Sequence, residues 1–189
     1  DVQHAMRDVV GHCIYGVDLN EMAVELCKVS LWMEAVEPGR PLSFLDAHIR
    51  HGNALVGTTP ALMDAGLPDA AWDALEGDDK DTARRLRRES ASWRQSRLFT
   101  GTESGRINDL AKLSAEAEAS PDDTIDALHA KECAWHTFEE SEVARHASVL
   151  ADLWCSAFVW PKVPGIAADA APVRGLWEEV KAKGKVPAT

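Results

Sequence analysis

The chain has 189 residues, with 20 Lys or Arg against 31 Asp or Glu, for a net charge of −11. That length fits one domain, or one domain with a helical appendage, and 46% hydrophobic residues argue against wholesale disorder. The acid excess excludes a general nucleic-acid coat but permits a local basic patch. The densest apolar run, residues 149–160, is too short for a bilayer, which takes about 20 residues, and residues 1–8 carry no leader pattern. A soluble, cytoplasmic protein without a membrane partner is expected.

Residues 13–18 (Cys-Ile-Tyr-Gly-Val-Asp) form a short apolar run ending in a carboxylate, the pattern of a buried parallel strand. Asn20 is placed to cap a helix, and Glu21 puts negative charge on its first turn. Met22, Leu26, Val29, Met33 and Val36 recur at helical spacing and predict the packed face, leaving Glu21, Glu25 and Lys28 wet. Pro38-Gly39 ends that helix. Residues 42–49 hold room for a helical turn, and residues 50–56 read as a second strand. Strand, helix and strand over this distance make a parallel βαβ unit.

From Thr58 onward, strand signals nearly vanish. Residues 68–76 suggest a short helix, and residues 81–99, 107–119 and 122–136 suggest three more. A long helix over 138–160 carries Val143, Ala147, Leu150, Trp154 and Phe158 on one stripe and stops at Pro161. Residues 163–172 form a Pro/Gly/Ala linker before a last helix at 173–183. The fold class is α/β but mostly helical.

An acidic residue at the carboxyl end of a parallel strand, just before a helix, is placed to accept hydrogen bonds from both hydroxyls of a ribose. Asp18 holds that place. The second strand runs into Gly52-Asn53-Ala54-Leu55, where a short polar side chain can bond the edge of an adenine between apolar neighbours. Capping of the following helix is the plainer use of such an Asp.

The string from Ile14 through Gly16-Val17-Asp18-Leu19-Asn20 to Leu31-Trp32 resembles the second conserved block of bacterial DNA adenine-N6 methyltransferases. Pro41-Leu42-Ser43-Phe44-Leu45-Asp46 with His51-Gly52-Asn53-Ala54-Leu55-Val56-Gly57 resembles the next block, and residues 151–158 are similar to a later helical signature. The nearest likeness is to large restriction–modification and phage-defence enzymes whose methylase carries a helical insertion. The resemblance implies a partial Rossmann-like S-adenosylmethionine methyltransferase core at 1–60, an α-helical insertion at 61–162, and a linker with a short C-terminal helix at 163–189. It implies that Asp18 holds the ribose of S-adenosylmethionine, that Asn53 contacts the adenine, and that Leu19 and Ala54 lie beside the ring. Asn53 departs from the Asp usual in small members. The family's glycine-rich cofactor loop is expected before residue 1, and its Asn/Asp-Pro-Pro-aromatic catalytic block, which grips a flipped base, after residue 189. The chain is therefore expected to be an internal fragment without catalytic residues, binding cofactor weakly and methylating nothing alone, with DNA as the partner of the intact parent.

Two other readings stay open. One is a non-catalytic helical interaction or DNA-contacting module that retains a piece of an ancestral sheet. The other is a nicotinamide dinucleotide enzyme, because the ribose-binding Asp is common to both folds. Arg84, Arg85, Arg87, Arg88, Arg94 and Arg97, offset only by Glu89, make a basic stretch. Arg84, Arg85 and Arg88 are candidates for DNA phosphates; the acidic run at 64–81 favours a paired, solvated face instead. The seven tryptophans are expected in cores rather than on bases. Cys13, Cys27, Cys133 and Cys155 lack CxxC spacing and read as free and buried, and His48 with His51 lacks the ligands to complete a metal site. An exposed sheet edge, or the helices, offers a route to a homodimer.

Overall fold

The computed structural model describes residues 2–96, 105–165 and 169–183, and the chain divides into two compact units. The first comprises Asp1–Val56 and Leu110–Ser141, the second Gly57–Asp109 and Glu142–Thr189.

The first unit is built on a strand–helix–strand crossover. β1 (Gly16–Asp18) and β2 (Ile49–His51) pair in parallel, with Gly16 opposite Ile49, Val17 opposite Arg50 and Asp18 opposite His51. The crossover contains α2 (Glu21–Glu34). Asn20 starts that helix by accepting a hydrogen bond from the Met22 N–H (3.0 Å), and Glu21 sits in its first turn. The Ala35 N–H closes onto the Leu31 carbonyl, and Gly39 then takes φ 85°, a left-handed turn that ordinary side chains resist. Both strands are shorter than the apolar runs suggested. Cys13 closes a preceding helix, α1 (Val2–Cys13), and β2 stops at His51. The Asn53 carboxamide takes the Leu55 N–H (2.9 Å) and bends the chain out of the ladder.

The packed face of α2 is not the predicted one. Val24, Lys28 and Ala35 are buried, whereas Met22, Leu26, Val29, Met33 and Val36 are all 46% exposed or more. The side turned to the small sheet sets burial, and no described element covers the apolar stripe. Cys27 is exposed for the same reason. Cys13 and Cys133 are exposed as well and Cys155 is only partly covered, so the expected burial of the cysteines fails although all are free.

Val10, Val24, Ala35, Leu45 and Ile49 form one small core in this unit. Phe44, Ala117 and Trp135 form another, where the end of α5 (Gly105–Glu118) and α6 (Ile125–Glu139) contribute. Arg7, only 4% exposed, fixes α1 by donating to the carbonyls of Pro41 and Asp122.

The second unit is helical. Its elements are α3 (Pro60–Ala65), a 3-10 turn (Asp69–Trp72), α4 (Lys80–Ser96), α7 (Glu142–Val159) and α8 (Arg174–Lys183). Thr59 caps α3 ahead of Pro60 at its first position. The helix expected at 68–76 shrinks to the 3-10 turn because Asp73 is already extended. The long helix expected at 138–160 is two helices: the Glu140 N–H closes onto His136 and the Ser141 N–H onto Phe138, and α7 begins anew at Glu142. Of its predicted stripe, Leu150, Trp154 and Phe158 join the core, whereas Val143 and Ala147 are only partly covered and lie outside it. Leu150, Ala157, Trp72, Leu86, Trp177 and Val180 are buried together, with Trp154, Phe158 and Trp160 packed against them.

Candidate functional site

β1 and β2 run in the same direction, so their carboxyl ends emerge at one edge of the sheet. The Gly52 N–H donates to the Asp18 carbonyl (2.9 Å), which places Asn53 one residue beyond that last ladder bond. The strand pairing thus brings Asp18 and Asn53 to the same rim. Both are exposed, as are Leu19 and Ala54.

The Asp18 carboxylate is half engaged. Its Oδ1 accepts the Asn20 N–H (2.7 Å), which is the plain helix-entry role, while Asn20 itself caps α2. A carboxylate offers about four lone-pair sites, so Oδ2 and part of Oδ1 stay open to other donors. In Asn53 the Oδ1 is used by the Leu55 N–H, and the carboxamide NH2 has no partner among the described residues. Around these two polar groups lie exposed apolar side chains: Leu19 at 69%, Met22 at 67% and Leu55 at 95% exposure. Sequence reasoning assigned Leu19 and Ala54 to the ring; Leu55, two residues after Asn53, is more exposed than Leu19.

Sequence reasoning weighed His51 only as a metal ligand. His51 stands opposite Asp18 in the register, and its Nε2 meets the Leu19 carbonyl at 3.0 Å. That bond ties the turn after β1 to β2. The register was the signal, and it becomes visible only once the strands are paired.

A polar layer holds the start of β2. Lys28, 7% exposed, donates to Glu25 Oε1 (2.8 Å) and Asp46 Oδ1 (2.5 Å). Burial opposes its charge, but the hydrogen bonds it donates to Asp46 and Glu25, with the negative charge of those carboxylates, outweigh that and keep its pKa above the usual lysine value. Arg50 donates to the Asp46 carbonyl (3.1 Å) and Glu139 Oε1 (2.6 Å), and lies 6.0 Å from the Trp135 ring centre. These residues line a cavity of about 460 Å³ that also includes His51. At the other end of the strands, Tyr15 stacks on His48 with ring centres 4.3 Å apart. Burial pushes the His48 pKa down, and its Nδ1 has no partner among the described residues.

The candidate DNA-contact residues lie on the exposed side of α4. Arg84 pairs with Asp81 (2.8 Å) and Arg85 with Asp169 (3.6 Å), and Arg88 is also exposed. Arg87 pairs with Asp73 (2.9 Å). The Arg94 side chain and Arg97 lie outside the described residues. Among the described residues, no helix is long and apolar enough to cross a membrane, and no group of three His, Cys, Asp or Glu is placed to hold a metal ion.

No curated protein and no solved structure matches the chain. The family model of the Eco57I restriction-modification methylase matches residues 12–149, more than half of the chain, including both strand ends and the rim they form. A restriction-modification methylase modifies DNA, and this chain belongs to the Eco57I restriction-modification methylase family.

Proposed function

We propose that the rim at the ends of β1 and β2 is the adenosine half of an S-adenosylmethionine site in a DNA adenine-N6 methyltransferase. The observation that carries this reading is the convergence of Asp18 and Asn53 on adjacent parallel strand ends, flanked by uncovered Leu19 and Leu55. Asp18 accepts from the ribose hydroxyls. Asn53, its oxygen already occupied, donates from its NH2 to a ring nitrogen of adenine, whereas an Asp there could only accept. Leu19, Ala54 and Leu55 cover the faces of the base, which removes exposed apolar surface from water. When bound, the cofactor supplies the methyl group; the residues described here bind and orient its nucleoside.

The 189 residues contain no Asn/Asp-Pro-Pro-aromatic string to hold a target adenine and no glycine-rich loop for the amino-acid end of the cofactor. The chain by itself therefore binds cofactor weakly and transfers no methyl group. Titration of isotope-labelled protein with S-adenosylmethionine tests this reading. Amide shifts are expected at Leu19, Asn53 and Leu55 and are expected to vanish in Asp18→Ala. Shifts elsewhere, or shifts indifferent to Asp18, would contradict it. Methyl transfer to adenine-containing DNA from this chain alone would contradict the assigned incompleteness.

A second reading, a non-catalytic interaction module, draws on the exposed α2 stripe from Met22 to Val36. It predicts that S-adenosylmethionine leaves the spectrum unchanged.

A further inference from the structure

The second unit contains a cavity of about 210 Å³ lined by Trp72, Asp73, Ala74, Lys80, Ala83, Arg84 and Arg87. Lys80, Arg84 and Arg87 sit at spacings of four and three on α4, so all three cations stand on one stripe above it. The buried face of the same helix (Thr82, Ala83, Leu86 and Ser90) fixes that stripe outward. Trp72 is 1% exposed, and its indole N–H has no acceptor among the described residues. A buried donor left unmet is costly, so an oxygen reaching it would be favoured.

We propose that this cavity receives a backbone phosphate of duplex DNA. The inference rests on the reading of the chain as part of a DNA methylase. Lys80, Arg84 and Arg87 supply the charge, and the Trp72 ring forms part of the cavity wall. The present partners of the arginines are exchangeable. Arg84–Asp81 and Arg87–Asp73 are pairs in which every side chain is more than half exposed, and such pairs hold weakly. A phosphodiester brings its own negative charge and releases counterions from the DNA, which side-chain carboxylates cannot do. Asp73, in the cavity wall, and Asp81, paired with Arg84, are the groups that oppose the ligand. The Thr82 N–H in the first turn of α4 takes no part, because Asp79 already accepts it (2.7 Å). Arg85 and Arg88 lie on the same helix but outside the cavity. The assignment therefore differs from general attraction to a basic helix.

Fluorescence anisotropy of the whole chain with a labelled duplex, over a series of NaCl concentrations, tests the proposal. Arg84→Glu/Arg87→Glu should weaken binding by about tenfold, and the log–log salt slope should become shallower by about one unit. Lys80→Gln should act in the same direction and Asp73→Asn in the opposite one, while Arg88→Glu should cost clearly less than either cavity arginine changed alone. Equal losses at Arg88 and at the cavity arginines, or an unchanged salt slope, would overturn the cavity as the site. The Trp72 indole N–H resonance should shift on adding DNA; inorganic phosphate in place of DNA should move it only weakly, and an equal shift would assign the cavity to free phosphate instead. Absence of DNA binding alongside intact S-adenosylmethionine shifts at the β1–β2 rim would overturn this inference and leave the cofactor reading standing. Loss of those shifts with DNA binding as expected would do the reverse.

Discussion

The two units bury their apolar residues in different ways. The helical unit gathers Trp72, Trp177, Leu67, Leu86, Leu150 and Val180 into one continuous core. The strand-bearing unit divides its apolar residues between two small clusters and leaves Val2, Met6, Val9, Val17 and the α2 stripe exposed. The unit that carries the candidate nucleoside rim is thus the less self-covered one. A region stabilised by one large core tolerates exposed charged chemistry on its outer helix. A region with little core must hold its site geometry with polar ties such as Lys28–Asp46 and Arg50–Glu139.

Truncation of the cores breaks or sharpens that contrast most strongly. Trp177→Ala removes a fully buried ring and is expected to cost about 3–5 kcal/mol in urea unfolding, whereas Leu45→Ala in the strand-bearing unit should cost about 2–3 kcal/mol. A larger cost at Leu45 would reverse the comparison. Next comes the polar layer. Lys28→Met leaves Asp46 and Glu25, which are half exposed, able to find water, so about 1 kcal/mol is expected together with weaker nucleoside binding. Lost stability with unchanged binding would show that these ties do not position the rim.

His48 gives a smaller, pH-dependent signature. Its folded pKa lies below the ordinary 6.5 because burial disfavours the charged ring. The unfolded chain therefore takes up a proton first as pH falls. The stability owed to the neutral ring is complete above about pH 6.5 and is lost as pH falls from there through the folded value. Thermal melts of His48→Phe, which keeps a ring against Tyr15, should show a flatter dependence in that interval. A parallel dependence would exclude His48 as its source.

The parts legible in the sequence were those set by local chemistry. Asn20, Glu21 and Pro38-Gly39 bracket α2, Pro161 lies two residues beyond the end of α7, and the strand–helix–strand order follows from two apolar runs around one amphipathic helix. The illegible parts depend on what packs where. The Met22–Val36 stripe has the periodicity of a core face, yet the sheet lies on the Val24–Lys28 side, and nothing local could say so. Helix α1 was passed over because residues 1–8 were read only for a leader. The break at Glu140–Ser141 carries no Pro or Gly to announce it. At the rim, the residue types at 18 and 53 were readable, but the pinning of Leu19 by His51 needed the register, whereas the use of the Asn53 oxygen by Leu55 is a local turn two residues long.

Asp18→Ala itself should alter stability least, by about 0.5–1 kcal/mol for the lost bond to the Asn20 N–H. Its decisive effect lies in selectivity for the sugar. The most direct measurement compares affinities for adenosine and 2′,3′-dideoxyadenosine in the original chain and in Asp18→Ala. The account predicts a preference of about tenfold for the intact diol in the original chain, collapsing to near parity in the variant. A preference that survives the loss of the carboxylate, or none in the original chain, would contradict it.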